Sequence, residues 1–330
     1  MGHHRIAVIG CGAAGRMHVE AIVRSGDRPT VLIDPDPNQR AELVRLCPEA
    51  ITASTPAQVG DAFDVAVVAA PDLHHRDLTV ALLEAGKDLL VEKPMAPNRT
   101  EARAMVDAAD RSGRVLAVAH VRRHLSVKAW AFDLLGSGAL GAVKSVDVAQ
   151  GGRNDWLAAT SDYVEQAAGG VIADQGSHSL DLLTWWFGPM DVVACSDDAR
   201  GGHEANASLD LVAGSVPIHV ELSRISAKRN TIKVEAERGV LEVSLDHYQH
   251  RQLVASPTGV DAPPFEEVVQ DLAGQFDRQW AAFKSALDGR WPSTLATGPD
   301  GAAIAAILED CYEVRTTQEV WWMRSATERR

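Results

Sequence analysis

The strongest constraint on the fold is a glycine-rich turn near the start of the chain. The segment RIAVIGCGAAG (5–15) places a β-branched apolar run directly before Gly10, Gly12 and Gly15, and helix-forming residues follow to about Ser25. A strand that enters a helix through G-x-G-x-x-G needs glycine because the chain turns tightly, a pyrophosphate approaches the backbone, and the helix packs closely on the sheet. The pattern predicts a dinucleotide-binding turn, although glycine-rich turns also arise from packing alone.

The residues up to about 121 alternate between strand and helix signals. Further strands are predicted at 29–34, 64–71, 88–94 and 115–120, and helices at 75–86 and 100–112. Apolar strands separated by amphipathic helices are typical of a parallel sheet that is covered on both faces. We therefore predict a doubly wound α/β domain, a Rossmann fold, over residues 1–121.

Beyond residue 121 the pattern changes to alternating runs joined by short polar connections. Such runs occur at 143–149, 216–225, 231–237 and 239–246, and helices are predicted at 171–187, 266–287 and 301–318. Alternation is typical of antiparallel strands with one face on a core. We therefore expect residues 122–330 to form a second α/β domain, which carries the substrate site.

The charge of the 330-residue chain limits its partners. Its formal net charge of −13 repels nucleic-acid phosphates and anionic lipid headgroups, so we predict neither nucleic acid nor a membrane as a partner. No apolar stretch approaches the roughly 18 residues that a membrane helix requires, and the first residues lack the pattern of an export signal. We therefore expect a cytoplasmic protein that acts on small molecules.

Cysteine and histidine spacing gives no indication of a metal site. The four cysteines are scattered without C-x-x-C spacing, which predicts reduced thiols. The doublets His3/His4 and His74/His75 have no carboxylate or cysteine companions at ligand spacing. We therefore predict that the protein uses no metal.

An acidic residue closes the second predicted strand. Asp34 follows the glycine turn at about the distance, some 20 residues, where a carboxylate accepts hydrogen bonds from the adenosine ribose and repels a 2′-phosphate. This predicts NAD rather than NADP. Two alternatives stay open, since Asp34 is also a favoured turn residue and Arg40 is a basic side chain that would reach a 2′-phosphate.

The segment VEKP (91–94) lies at the carboxyl end of a predicted strand, the edge where open α/β sheets bind their ligands. Lys93 at this edge is placed to act in the site. The alternative is that it is an ordinary solvated loop residue. The isomer of the Lys93–Pro94 bond does not follow from the sequence.

Asp174 and His178 lie four positions apart in VIADQGSHSLDLLTWWFG (171–188), a run that is otherwise mostly apolar. On an α-helix, residues four apart share one face, so both side chains would address one point. The alternatives are a histidine bonded within the core and an aspartate that complements the helix dipole. We expect Asp181, one further turn along, to be structural.

The chain as a whole resembles a known family. The resemblance is carried by G-x-G-x-x-G at 10–15, Asp34, AAP at 69–71, EKP at 92–94, RRH at 122–124 and AGGVIADQGSHSLDLL at 168–183. With these motifs the chain resembles the Gfo/Idh/MocA oxidoreductases, the family of glucose–fructose oxidoreductase and inositol dehydrogenase. The resemblance implies a Rossmann domain followed by an α/β domain whose open, mostly antiparallel sheet mediates a homo-oligomer, a dimer or tetramer.

The resemblance also implies the residues of the site. Lys93, Asp174 and His178 would be catalytic. Cofactor contacts would come from Gly10, Gly12, Ala13, Ala14, Gly15, Asp34, Ala70, Pro71, Glu92, Lys93 and Pro94. Substrate contacts would come from Arg123, Asn154, Trp156 and Tyr163, whereas His120, His124, His247 and His250 are expected at the surface or in the sheet, outside the site.

These side chains fit the oxidation of an alcohol. That reaction needs a base for the hydroxyl proton, and an imidazole with a pKa of about 6.5 suits the task, so His178 would be the general acid/base. Lys93 would stabilise the developing alkoxide, and Asp174 would orient the imidazole or hold the ammonium.

We therefore predict an NAD-dependent dehydrogenase that acts on a ring secondary alcohol of a sugar, nucleotide sugar or cyclitol. Two other classes stay open. One is an NAD-dependent glycosidase that oxidises its substrate transiently. The other is a non-catalytic sugar-sensing regulator, against which the intact set of Lys93, Asp174 and His178 argues.

Overall fold

The structure is a computed structural model that describes residues 4–152, 169–245, 251–255, 262 and 272–318. Its first sheet is built mainly by the N-terminal residues. The strands are β1 (Ile6–Ile9), β2 (Pro29–Ile33), β3 (Ile51–Ala53), β4 (Val65–Val68), β5 (Asp88–Val91) and β6 (Leu116–Val118). These six strands are parallel and lie in the order β6-β5-β4-β1-β2-β3. The order reverses between β1 and β4, and this is the position where doubly wound sheets bind ligands at the carboxyl edge.

Helices cover both faces of the first sheet, as the apolar strands predicted. They are α1 (Ala13–Arg24), α2 (Pro37–Val44), α3 (His75–Glu84) and α4 (Arg99–Ser112). Every residue of β1 and β4 is buried, which explains why these strands show continuous rather than alternating hydrophobicity. Helix α4 begins at an Asn98 cap that accepts from the Glu101 N–H and ends at Gly113, whose φ of 65° suits glycine.

The second sheet follows after helix α5 (Ser126–Gly136). Its strands are β7 (Val143–Gly151), β8 (Asp191–Asp197), β9 (Asn206–Ala213), β10 (Val216–Ser223), β11 (Thr231–Ala236), β12 (Gly239–Ser244) and β13 (Arg251–Ala255). Strands β7 and β10 are parallel, and the other pairings among these seven strands are antiparallel. One face carries the apolar core with helix α6 (Ser177–Phe187), and the other carries polar side chains such as His219 and Lys233. The open, mostly antiparallel sheet is confirmed.

The C-terminal segment returns to the first sheet, which the sequence pattern did not indicate. Helix α7 (Leu272–Leu287) packs on α1, and the short strand β14 (Ala296–Thr297) pairs antiparallel with β6. Helix α8 (Gly298–Val314) then packs on α4 and reaches β8, where β15 (Arg315–Thr317) adds a parallel edge strand. The division at residue 121 stays a prediction, but residues far beyond it complete the first sheet.

Two helix predictions differ from the structure at their ends. The predicted helix 301–318 begins at Gly298, and its last residues form β15 because Thr316 and Thr317 are β-branched and meet a free strand edge. The predicted helix 171–187 starts with one π-helical turn, Ile172–Gly176, before it becomes α-helical. None of the helices in the described part of the chain combines the length and the apolar character needed to cross a bilayer.

Candidate active site

The glycine turn after β1 is packed at both ends and open in the middle. Gly10 has a φ of 92°, and a Cβ on it would lie 2.4 Å from the Ala69 carbonyl oxygen. A Cβ on Gly15 would lie 1.9 Å from the Gly10 carbonyl oxygen, so the helix packs directly on the turn. Nothing lies within 4 Å of a Cβ built on Gly12. The turn therefore leaves its free space where a pyrophosphate would approach the backbone.

Helix α1 begins at this open point with Ala13 and Ala14. No side chain caps its first N–H groups, and its first turn contains no acidic residue. The uncapped donors and the positive end of the helix dipole favour an anion here. The residues present therefore fit the diphosphate of a dinucleotide.

Asp34 directly follows β2 and lies beside the glycine turn. Its Oδ2 accepts from the Cys11 N–H at 2.7 Å, and its Oδ1 accepts from the Asp36 N–H at 2.8 Å. The second contact is the turn role that stood as the alternative, and the first ties the carboxylate to the glycine turn. The guanidinium of Arg40 donates to the carbonyl oxygens of Asp34 and Pro35, so it is anchored to this loop by backbone contacts.

The EKP loop follows β5, and its Lys93–Pro94 peptide bond is cis. Glu92 is mostly buried; its Oε1 lies 2.8 Å from Nε2 of His18 on α1, and its Oε2 accepts from the Lys93 N–H at 3.0 Å. Burial would raise the pKa of Glu92, but the His18 hydrogen bond, the charges of His18 and Lys93, and the Lys93 N–H hold it below its usual value. Glu92 is therefore an ionised anchor for the loop.

A second buried histidine links two of the predicted cofactor loops. His75, at the start of α3, places Nε2 2.8 Å from the Ala70 carbonyl oxygen and Nδ1 3.1 Å from the Pro94 carbonyl oxygen. The ring therefore connects the Ala70–Pro71 segment after β4 to the EKP loop, because each of its nitrogens contacts a carbonyl oxygen of one segment. Sequence reasoning weighed His75 only as a metal ligand, and the signal it missed is the position of a histidine just after a strand that ends at the binding edge.

Lys93 and Asp174 meet across the two sheets. The Lys93 ammonium donates to Asp174 Oδ1 at 3.0 Å and to the Asp174 carbonyl oxygen at 3.1 Å. The other carboxylate oxygen, Oδ2, accepts from Nη2 of Arg224 at 3.1 Å. The structure thus brings together two residues 81 positions apart that sequence reasoning placed in one site, and adds Arg224, which it missed.

The π-helical turn positions Asp174 at the start of the helix that carries His178. Single π-turns within helices are frequent at functional sites because they change the direction of the side chains they carry. His178 lies in the first turn of α6, where it is half-buried between the buried residues Ser177 and Ser179. The contact of Asp174 with Lys93 is the geometry needed if Asp174 holds the ammonium, and both roles considered for Asp174 stay predictions.

Arg123 does not lie where a substrate would reach it. Its side chain is 2% exposed, and its Nε and Nη2 donate to the Asp181 carboxylate at 3.0 and 2.7 Å. Burial would lower the pKa of Arg123, but Asp181 and Asp300 raise it above its usual value. The prediction of a substrate contact for Arg123 is therefore not supported, because the guanidinium is sealed in an ion pair with the residue expected to be structural.

Two histidines expected at the surface or in the sheet are instead buried beside Arg123. His120 and His124 are 2% and 5% exposed. Burial lowers the pKa of both imidazoles and, with the charges of Arg278 and Arg123, brings that of His124 to about 3. The other residues of these two predictions, Asn154, Trp156, Tyr163, His247 and His250, lie outside the described residues.

Within the described ranges, no group of three or more histidine, cysteine, aspartate or glutamate side chains is arranged to hold an ion. What the geometry offers is an ammonium held by a carboxylate, with an imidazole on the same helix, at the carboxyl edge of a dinucleotide-binding sheet. Such a set can stabilise an oxyanion and exchange a proton.

Comparison with known proteins agrees with this geometry. The family model described as an oxidoreductase family with an NAD-binding Rossmann fold matches residues 4–120, and that of the GFO/IDH/MocA C-terminal domain matches residues 129–242. A 1,5-anhydro-D-fructose reductase of Ensifer adhaerens is 31% identical over 261 residues, which cover 74% of this chain and 75% of the relative. The chain belongs to the Gfo/Idh/MocA family. The predicted resemblance, the fold class and NAD as the cofactor are thereby confirmed, and this Gfo/Idh/MocA protein is an oxidoreductase.

Other members of the Gfo/Idh/MocA family match over almost the full length. A myo-inositol dehydrogenase of Streptomyces leeuwenhoekii is 28% identical over 323 residues, 93% of each chain. Among solved structures, the WlbA dehydrogenase of Bordetella pertussis in complex with NADH and UDP-GlcNAcA has a TM-score of 0.81 at 20% identity, covering 94% of this chain and 95% of the other. At that identity the likeness shows the fold alone.

Proposed function

We propose that this Gfo/Idh/MocA protein is an NAD-dependent dehydrogenase for a ring secondary alcohol of a sugar, nucleotide sugar or cyclitol, or for the corresponding ketone in reverse. The observation that carries the proposal is the contact of Lys93 with Asp174 at the carboxyl edge of the first sheet. The names of two relatives, a myo-inositol dehydrogenase and a 1,5-anhydro-D-fructose reductase, support a cyclitol or a sugar ring.

The cofactor residues of the proposal are those that the fold gathers at one edge. The open turn at Gly12, the uncapped start of α1, Asp34, the Ala70–Pro71 segment and the EKP loop would hold NAD. When bound, NAD supplies the two-electron oxidation of the alcohol carbon.

The chain's own residues manage the charge and the proton. The Lys93 ammonium, held by Asp174, faces the developing negative charge on the substrate oxygen and lowers the pKa of the hydroxyl. The His178 imidazole removes the hydroxyl proton in oxidation and returns it in reduction. The Asp174 carboxylate is already engaged by two cations, so we assign the role of base to His178.

The remaining expectations are proposals of the same kind. Asn154, Trp156 and Tyr163 are proposed to contact the substrate, with the indole face against sugar C–H groups. The polar face of the second sheet, which carries His219 and Lys233, is proposed to join two or more subunits into a homo-oligomer.

The proposal is tested by incubating the purified protein with NAD and a panel of cyclitols, hexoses, anhydrosugars, uronic acids and nucleotide sugars, while the absorbance of NADH is followed. We expect NADH to accumulate with at least one compound. NAD binding without NADH formation from any of them would contradict the proposal. Cleavage of a glycosidic bond without net NADH would favour the glycosidase instead, because that reaction returns its reducing equivalents.

A further inference from the structure

The carboxylate of Asp174 lies between two cations rather than in a simple pair. Lys93 takes Oδ1 at 3.0 Å and Arg224 takes Oδ2 at 3.1 Å. The side chains of Lys93, Asp174 and Arg224 are 14%, 25% and 27% exposed. Partial burial makes such contacts stronger than those of fully exposed pairs, while the ammonium stays accessible to a ligand.

The guanidinium of Arg224 is held on a rigid base. Arg224 directly follows β10, and its backbone N–H donates to the Ala205 carbonyl oxygen at 2.8 Å. The preceding residue, Ser223, is buried and donates from its hydroxyl to Asn206 Oδ1 at 2.6 Å. These contacts at the end of β10 therefore fix the position of the Arg224 backbone.

The same nitrogen of Arg224 also reaches the start of the π-turn. Nη2 donates to the Gly170 carbonyl oxygen at 3.3 Å, and that oxygen also accepts from the Asp174 N–H at 3.1 Å. Arg224 thus contacts the Asp174 side chain directly and also contacts the backbone of the turn that carries Asp174. The neighbouring buried carboxylate, Glu204, is satisfied elsewhere, since its Oε1 accepts from the Ile172 N–H and the Tyr312 hydroxyl.

We propose that Arg224 is a positioning residue for this active site. By taking Oδ2, it fixes the rotation of the Asp174 carboxylate so that Oδ1 presents the Lys93 ammonium to the substrate oxygen. It also adds a second positive charge beside the Asp174 carboxylate, which offsets part of the negative charge that faces the Lys93 ammonium. An ammonium whose charge is not fully cancelled stabilises an oxyanion better. The proposal rests on the proposed function for its kinetic consequence.

A double-mutant cycle tests whether Arg224 acts through Asp174. With a substrate from the panel, we expect Arg224→Met to lower kcat by about 10- to 100-fold, the scale of a small misplacement in a site, and to change KM and the NAD Kd by less than about threefold. In the Asp174→Asn background the same substitution should cost less than about threefold, because the interaction is already lost. Arg224→Lys should recover part of kcat.

The matched control is Arg229→Met. Arg229 is an exposed arginine five positions along the chain, and its loss changes the net charge equally, so kcat should stay unchanged. An unchanged kcat in Arg224→Met would overturn the proposal. So would a loss confined to KM, or equal losses in the wild-type and Asp174→Asn backgrounds.

A crystal structure of Arg224→Met separates this proposal from the proposed function. Even if no substrate is found, we expect the Asp174 carboxylate to rotate or to occupy more than one conformer, with the Lys93 contact changed. An Asp174 carboxylate in the same orientation, with the same distance to Lys93, would overturn the positioning role whatever the activity proves to be.

Discussion

Two basic side chains, Arg123 and Lys93, contact aspartates of one helical segment, and the two contacts differ in burial. Arg123 and Asp181 are 2% and 1% exposed and bond through two guanidinium nitrogens. The side chains of Lys93 and Asp174 are 14% and 25% exposed, and the Asp174 carboxylate also contacts Arg224. The buried Arg123–Asp181 pair is not accessible to a ligand and stabilises the fold, whereas the partly exposed Lys93–Asp174 pair keeps a cation at the binding edge. In this comparison, accessibility to a ligand rather than residue type distinguishes a structural ion pair from one that can take part in a reaction.

The largest effect expected from this contrast is on stability. Replacing Asp181 with Asn leaves the buried Arg123 guanidinium with only the longer contact to Asp300, and breaking such a buried pair costs about 3–5 kcal/mol of unfolding free energy. Replacing Asp174 with Asn should cost about 1 kcal/mol or less, because that pair is partly solvated. Urea denaturation of both variants checks the difference, and equal losses would erase the distinction between the pairs.

Packed and open positions also alternate within the glycine turn. Gly15→Ala should destabilise the protein by about 1–3 kcal/mol, because the new methyl group would overlap the Gly10 backbone. Gly12→Ala meets no protein atom and should leave stability nearly unchanged, yet it should weaken NAD binding by about tenfold, since the methyl group occupies the pyrophosphate approach. Thermal unfolding and a fluorescence titration with NADH measure the two effects. Gly12→Ala with wild-type NADH affinity would contradict the assigned site.

The smallest expected effect is the pH dependence of stability that arises from His124, which is buried beside Arg123. Burial, reinforced by Arg278 and Arg123, lowers the pKa of His124 to about 3, so the folded protein keeps this ring neutral while the unfolded chain takes up a proton near its usual pKa of about 6.5. The stability due to the neutral ring is therefore complete above that value and is lost as the pH falls toward the folded pKa. Between pH 6.5 and 5 the loss is on the order of 1–2 kcal/mol.

Comparison with His124→Gln isolates this pH dependence. The variant lacks the titrating ring, so its unfolding free energy should fall less than that of the wild type between pH 6.5 and 5. Denaturant titrations of both proteins at the two pH values measure the difference. Parallel falls would show that His124 does not titrate as its burial requires.

The sequence predicted those parts of the molecule that local patterns encode. The strand and helix alternation, the glycine turn at 10–15 and the helix with Asp174 and His178 follow from periodicity and composition. Lys93 and Asp174 were placed together because each belongs to a family motif, even though 81 positions separate them.

The features that were missed depend on contacts between distant segments. Arg224 is 50 positions from Asp174, and the return of β14 to β6 joins residues far apart with a strand too short for any period. The burial of Arg123 could not be predicted, because the RRH motif gives three basic residues and only the fold decides which of them are buried. His75 was overlooked because its partners are backbone carbonyls, which leave no signal in a sequence.

We propose that the side chains of Lys93 and His178 act on the substrate, while most of the contacts that hold NAD come from other residues. The most direct measurement is the turnover of Lys93→Met and His178→Ala with the substrate that gives NADH, together with the NAD Kd of each variant. We expect kcat to fall at least about a thousandfold in both variants, with the NAD Kd within about threefold of wild type. Wild-type turnover in either variant would contradict it.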